Sequence, residues 1–139
     1  MQFVTVLFST HSAYLDHIVG PAHPERPARL GAVIDGSRDA SVADALVPLE
    51  PREATRSDLE LVHPGTFLDR ISALCAAGGG RLDADTSVSA GSWQAALLAA
   101  GAGLTAIEAL ERGDHAASAA FCAVRPPGHH ATPDRAMGF

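Results

Sequence analysis

Apolar positions along this chain change period several times, and each change marks an element. Phe3 to Phe8 is an uninterrupted β-rich run. It predicts a strand buried on both faces of a parallel sheet. Thr10 to Pro27 is rich in His, Gly and Pro and reads as a surface loop. From Pro27 to Ser37 the spacing turns helical, with Pro27 in the first turn and Leu30, Val33 and Ile34 on one face. Ala45 to Pro51 reads as a short strand between breakers. Ser57 is placed to cap a short helix through Val62, with Glu60 in the capping-box position. Pro64 to Ala77 carries Phe67, Leu68, Ile71, Leu74 and Cys75 at helical spacing, and Gly78-Gly79-Gly80 ends it. Ala84 to Gly91 reads as an irregular loop. Ser92 to Arg112 is the longest predicted helix, with Gly113 as its stop. Gly101 and Gly103 weaken that helix locally and permit close packing. Ala116 to Val124 is the last predicted strand.

Strands separated by helices predict an α/β fold with parallel strands. In open α/β sheets, sites form beyond the carboxyl ends of the strands. The segment after Val124 lies at such an end. A length of 139 residues suits one domain with a modest core. The apolar fraction, 47%, is too high for a disordered chain. The net charge of −6 argues against nucleic acid or an anionic membrane surface as partner, since both need clustered cations. No run comes near the ~20 apolar residues of a membrane span. The first residues lack the basic start and cleavage site of a signal peptide. Cys75 and Cys122 are far apart and form no CxxC pattern, so they read as small buried hydrophobes in a reducing, cytoplasmic protein.

The chemistry concentrates near the end. His129 and His130 are adjacent, on a Pro-Gly loop directly after the last strand. Pro126 and Pro127 fix φ and remove two donors, and Gly128 permits backbone angles closed to other residues. A loop so constrained presents its two imidazoles in set positions. Histidine titrates nearest neutral pH, so two of them can share the base and acid work of amide hydrolysis. His11, His17 and His23 are spaced evenly by six, which fits neither a helix face nor a strand face. They read as loop and surface histidines.

The stretch Arg125-Pro126-Pro127-Gly128-His129-His130-Ala131, with Met137-Gly138-Phe139 after it, resembles the active-site signature of the zinc-dependent deacetylases. That family includes histone deacetylases and acetylpolyamine amidohydrolases within the arginase–deacetylase superfamily. His23-Pro24-Glu25-Arg26-Pro27-Ala28-Arg29-Leu30 is similar to the family's N-terminal motif. Leu61-Val62-His63-Pro64 and Leu82-Asp83-Ala84-Asp85-Thr86 fall in the expected order between them.

The resemblance implies a partial three-layer α/β/α fold with a parallel sheet, residues 1–139 being the N-terminal part of one catalytic domain. It implies a substrate that is an acetylated amine or acetyl-lysine, and zinc as the cofactor. His130 would be the general base and acid, and His129 would stabilise the oxyanion. Gly138 and Phe139 would line the acyl-lysine channel. Asp85 would be the rim carboxylate, with Asp83 as the alternative, and Arg29 would lie by an internal acetate channel. Arg125 would anchor the histidine loop through fork hydrogen bonds. The family's zinc ligands, two Asp and one His, and its transition-state tyrosine follow the Gly-Phe pair. None of the residues here takes those places, and Tyr14, the single tyrosine, stands in another motif context. The chain therefore reads as part of a zinc amidohydrolase truncated before its metal-ligand segment. The alternative is a noncatalytic fragment that needs another segment or chain to complete a site.

Overall fold

The computed structural model describes residues 4–39 and 41–139. Among these residues three parallel strands form a sheet: β1 (Val6–Ser9) lies between β2 (Leu46–Pro48) and β5 (Ala119–Cys122). Val6 pairs with Leu46 on one side and with Ala119 on the other. The predicted strand at the N-terminus thus starts later and runs further than its apolar run suggested, and Phe3 lies outside the described residues. Leu7 and Ser9 are fully buried on one face, while Val6 and Phe8 are half-buried on the other. β5 is an outer strand of this sheet, and its Phe121 stacks on Phe8 at 5.9 Å while staying half-exposed.

Among the described residues four α-helices accompany the sheet: α1 (Pro27–Ser37), α2 (Arg56–Glu60), α3 (Gly65–Ala76) and α4 (Ser92–Arg112). α1 and α4 have the predicted bounds, and Gly113 closes α4 in the left-handed conformation at φ 73°. The capping prediction for α2 was displaced by two residues. Thr55, not Ser57, is the cap, and Asp58, not Glu60, completes the reciprocal box. Both pairs have the required spacing, and the structure selects the one that leaves Arg52 within 2.9 Å of Asp58. An antiparallel hairpin lies between α3 and α4: β3 (Gly79–Arg81) starts in the glycines expected only to end the helix, and β4 (Ser87–Ser89) falls within the expected irregular loop over Ala84 to Gly91. The glycines after α3 therefore both end the helix and start a strand. A Cβ on Gly79 would lie 2.2 Å from the Val88 carbonyl oxygen.

The core joins Leu30 of α1, Ala95 and Leu98 of α4, Ala123 after β5, and Ala13 and Tyr14 from a short 3-10 turn over Ser12–Asp16. That turn sits in the stretch expected to be surface loop. Helix α4 is long and apolar enough to cross a membrane by length and composition, with a mean hydropathy of 1.3, contrary to the reading that no such run exists. Its residues Ala95, Leu98, Ala102, Ala106 and Ala109 instead form a buried stripe within this domain. Cys75 is buried and Cys122 half-buried, both are free thiols, and burial pushes both up.

The close helix packing expected at Gly101 and Gly103 is replaced at Gly101 by close packing of a non-helical segment. The segment at residues 52–54 crosses the helix there, and Ala54 N–H donates to the Leu97 carbonyl at 2.9 Å. A Cβ on Gly101 would lie 1.8 Å from the Arg52 carbonyl oxygen, whereas one on Gly103 would meet nothing within 4 Å. Alanine gains ~1 kcal/mol of helix propensity over glycine at either position. At Gly101 the clash is with backbone and wins, so Gly101→Ala is expected to destabilise by roughly 1–3 kcal/mol. Gly103→Ala is expected to stabilise by up to ~1 kcal/mol. Urea unfolding of the two variants checks both signs.

Candidate active site

The candidate site is built where β5 ends. Arg125 follows that strand after two residues and is buried with a relative exposure of 4%. A guanidinium so placed needs every donor used. Its Nε and Nη2 donate to the two carboxylate oxygens of Glu25 at 2.5 and 2.6 Å. Its Nη1 donates to the Tyr14 carbonyl at 2.5 Å, and Nη2 also to the His17 carbonyl at 3.0 Å. The expected fork is present, and it ties the start of the histidine loop to the N-terminal motif. Burial is the largest influence on Glu25 and pushes its carboxyl up. The hydrogen bonds and charge of Arg125, with His17 and Arg29 nearby, outweigh it and leave the net shift downward.

His17 corrects the reading of the evenly spaced histidines as surface residues. It is buried, its Nδ1 lies 2.7 Å from Ser92 Oγ, and its Nε2 is 3.8 Å from Glu25 Oε2. Burial first, and then the positive Arg125, lower its pKa to about 4. A histidine whose folded pKa lies below its unfolded value is held neutral by the fold. Its contribution is complete above about pH 6.5 and is lost as pH falls toward 4. The depressed Glu25 acts in the same direction. Between about pH 7.5 and pH 5, His17 alone is expected to remove about 2 kcal/mol of stability. Urea midpoints at the two pH values, with His17→Asn as the variant that flattens the difference, measure this.

His129 and His130 are exposed at the tip of the loop, with ring centroids 4.3 Å apart. Gly138 packs directly behind the second: a Cβ there would lie 2.7 Å from His130 Cβ, and its φ of 84° suits glycine. The intervening segment is held by helix α3 and the residues before it. His63 Nδ1 is 2.7 Å from the Pro133 carbonyl, and Arg70 Nη2 donates to the Asp134 carbonyl at 3.3 Å. His63, just before α3, thus holds this segment in place.

Asp83 and Asp85 separate clearly. Asp83 Oδ1 accepts from the backbone N–H groups of Asp85 at 2.8 Å and Thr86 at 2.7 Å, and these hold its carboxyl below the usual range. Its side chain is committed to the loop. Asp85 is exposed, with Oδ1 at 3.2 Å from His23 Nε2. The His23 ring in turn meets Phe139 edge-on at 4.8 Å. Arg29 lines a cavity of about 260 Å³ together with Glu25, Arg125 and Pro127. A larger cavity, about 360 Å³, lies between the histidine loop and helices α3 and α4, with Phe139 in its wall.

The residues present do not fit a metal centre. Among the described residues no group of three or more His, Cys, Asp or Glu side chains could hold an ion. Tyr14 is fully buried, and burial pushes its phenol up to about 12, so it has no hydroxyl to offer a substrate. The structure brings together His129, His130 and Gly138, and links Phe139 to Asp85 through His23. Glu25 and His17 were not singled out as site residues. A glutamate inside a Pro-flanked motif, a buried arginine's natural partner, was the available signal for the first.

Residues 23–139 match the family described as the histone deacetylase domain. The chain belongs to that family. It is 37% identical over 131 residues to a probable deacetylase of Archaeoglobus fulgidus, covering 93% of this chain and 36% of that one. It is 40% identical over 116 residues to a histone deacetylase-like amidohydrolase of Pseudomonas aeruginosa, covering 84% of this chain and 29% of the relative. The crystal structure of the HDA15 HD domain superposes with a TM-score of 0.87 at 30% identity, over 98% of this chain and 40% of the other. The fold is therefore the deacetylase-like α/β fold with a parallel sheet. The chain spans about a third of the length of these relatives.

Proposed function

We propose that this chain forms the histidine-bearing part of a deacetylase site that hydrolyses acetyl-lysine or a small acetylated amine. The observation that carries the reading is the clamp of Arg125 on Glu25, which ties down the start of the loop bearing His129 and His130, the second of them packed against Gly138. Positioning of acid–base groups is what such hydrolysis needs from the protein. His130 takes a proton from the attacking water and returns it to the leaving amine. His129 stabilises the negative charge that develops on the acyl oxygen. Asp85 accepts an N–H of the substrate at the rim, Phe139 and Gly138 wall the acyl channel, and Arg29 borders the cavity behind the loop. Residues 1–139 are the N-terminal part of a single domain in this reading. Zinc, implied by the resemblance, has no ligand set among the described residues.

A chimera tests this. Residues 23–139 would replace the matching stretch of the Pseudomonas aeruginosa relative. The expected result is chelator-sensitive hydrolysis of an Nε-acetyl-lysine substrate. A folded, zinc-loaded chimera with no hydrolysis of acetyl-lysine or acetylpolyamine substrates would refute the proposed activity.

A further inference from the structure

Three contacts meet at His23, which the loop pattern marks only as a surface histidine. Its Nδ1 lies 3.1 Å from the Glu25 backbone nitrogen and 3.3 Å from the Glu25 carbonyl oxygen. A neutral imidazole carries one ring proton, so Nδ1 can serve only one of these. The closer contact, from the Glu25 N–H, makes Nδ1 the acceptor. The proton then sits on Nε2, where it donates to Asp85 Oδ1 at 3.2 Å. The ring is also braced edge-on against Phe139, with planes at 71°.

Asp85 needs such a partner. Its side chain is 68% exposed, and a carboxylate that open samples several rotamers unless a donor selects one. Neighbouring Asp83 is occupied by the loop backbone and does not compete for His23. Glu25, bonded to the back of the His23 ring, is the residue clamped by Arg125. A short rigid run, His23 to Glu25, therefore connects the rim carboxylate and the Phe139 ring to the frame that holds the histidine loop.

We propose that His23 is a positioning residue of the substrate mouth. It directs one oxygen of Asp85 through its Nε2–H, leaves Oδ2 for an N–H of the acylated amine or peptide, and sets the Phe139 ring beside it. This rests on the substrate roles given above to Asp85 and Phe139. His23 itself touches no reacting atom.

The test uses the 139-residue chain. Long-range ¹H–¹⁵N spectra near about pH 8 are expected to show His23 as the Nε2–H tautomer. His23→Ala is expected to move the Asp85 amide and Phe139 ring signals. His23→Gln, whose amide nitrogen can take the place of Nε2, is expected to keep the Asp85 signal and move only Phe139. Titration with an Nε-acetyl-lysine tripeptide is expected to be weakened about tenfold in His23→Ala and much less in His23→Gln, as for loss and retention of one charge-assisted hydrogen bond. An Nδ1–H tautomer, or unmoved Asp85 and Phe139 signals in His23→Ala, overturns the proposal. If His23→Ala does not fold, the wild-type tautomer and the Gln variant decide the matter. The expected tautomer and signal shifts without peptide binding in any variant would uphold the positioning and overturn the substrate roles of Asp85 and Phe139.

Discussion

In the chimera described above, His130→Ala is expected to lower kcat by about 10²- to 10⁴-fold, the usual contribution of a positioned acid–base group. His129→Ala is expected to lower it less. The ranking follows from the roles. His130 handles a proton twice in each cycle. His129 acts through charge alone, and other donors at an oxyanion share that work. The structure also separates the two: Gly138 backs directly on His130, where any side chain would push the imidazole from its place. Steady-state kinetics of both variants at matched zinc occupancy is the measurement. A reversed ranking would exchange the two roles, and full activity in both variants would remove the pair from the chemistry.

Arg125→Met is expected to destabilise the chain by about 3–5 kcal/mol, the loss typical when one member of a buried ion pair is removed. The Glu25 carboxylate would remain, with a relative exposure of 2% and without its hydrogen-bonded counter-charge. The Tyr14 and His17 carbonyls would lose their donor as well. Arg125→Lys is expected to recover little of this, because an ammonium cannot reproduce the two parallel bonds of the fork. Small domains have roughly 5–15 kcal/mol in total, so the methionine variant gives up a large fraction of its stability. Urea unfolding near neutral pH reads the loss. A loss under about 1 kcal/mol would show that the clamp contributes little.

Much of this molecule was legible from sequence, for reasons that differ by element. α1 and α4 could be read to the residue because their ends carry unambiguous signals, Pro27 at one start and Gly113 at one stop. The hairpin over residues 79–89 was not legible. Its strands have three residues each, and a glycine-rich start shows no period-two pattern. The cap of α2 failed because two overlapping Ser/Thr-x-x-Asp/Glu boxes compete, and Arg52, three residues before the cap, pairs with the acid of one of them. At the site, the histidine loop and Gly-Phe pair were legible through the family motif. The roles of His17 and His23 were not, since both depend on partners far along the chain, Ser92 at one and Asp85 at the other. Spacing within a loop carries no record of such contacts.

Turnover of an Nε-acetyl-lysine substrate by the chimera and by the 139-residue chain, side by side in added zinc, tests the division of labour most directly. The histidine pair is in the chain, while its described residues contain no metal-binding cluster. Without a bound ion, attacking water keeps a pKa far above neutrality. Chelator-sensitive turnover is therefore expected from the chimera, and none above background from the chain alone. Chelator-sensitive turnover by the chain alone would place a complete metal centre within these residues and contradict the assignment made here.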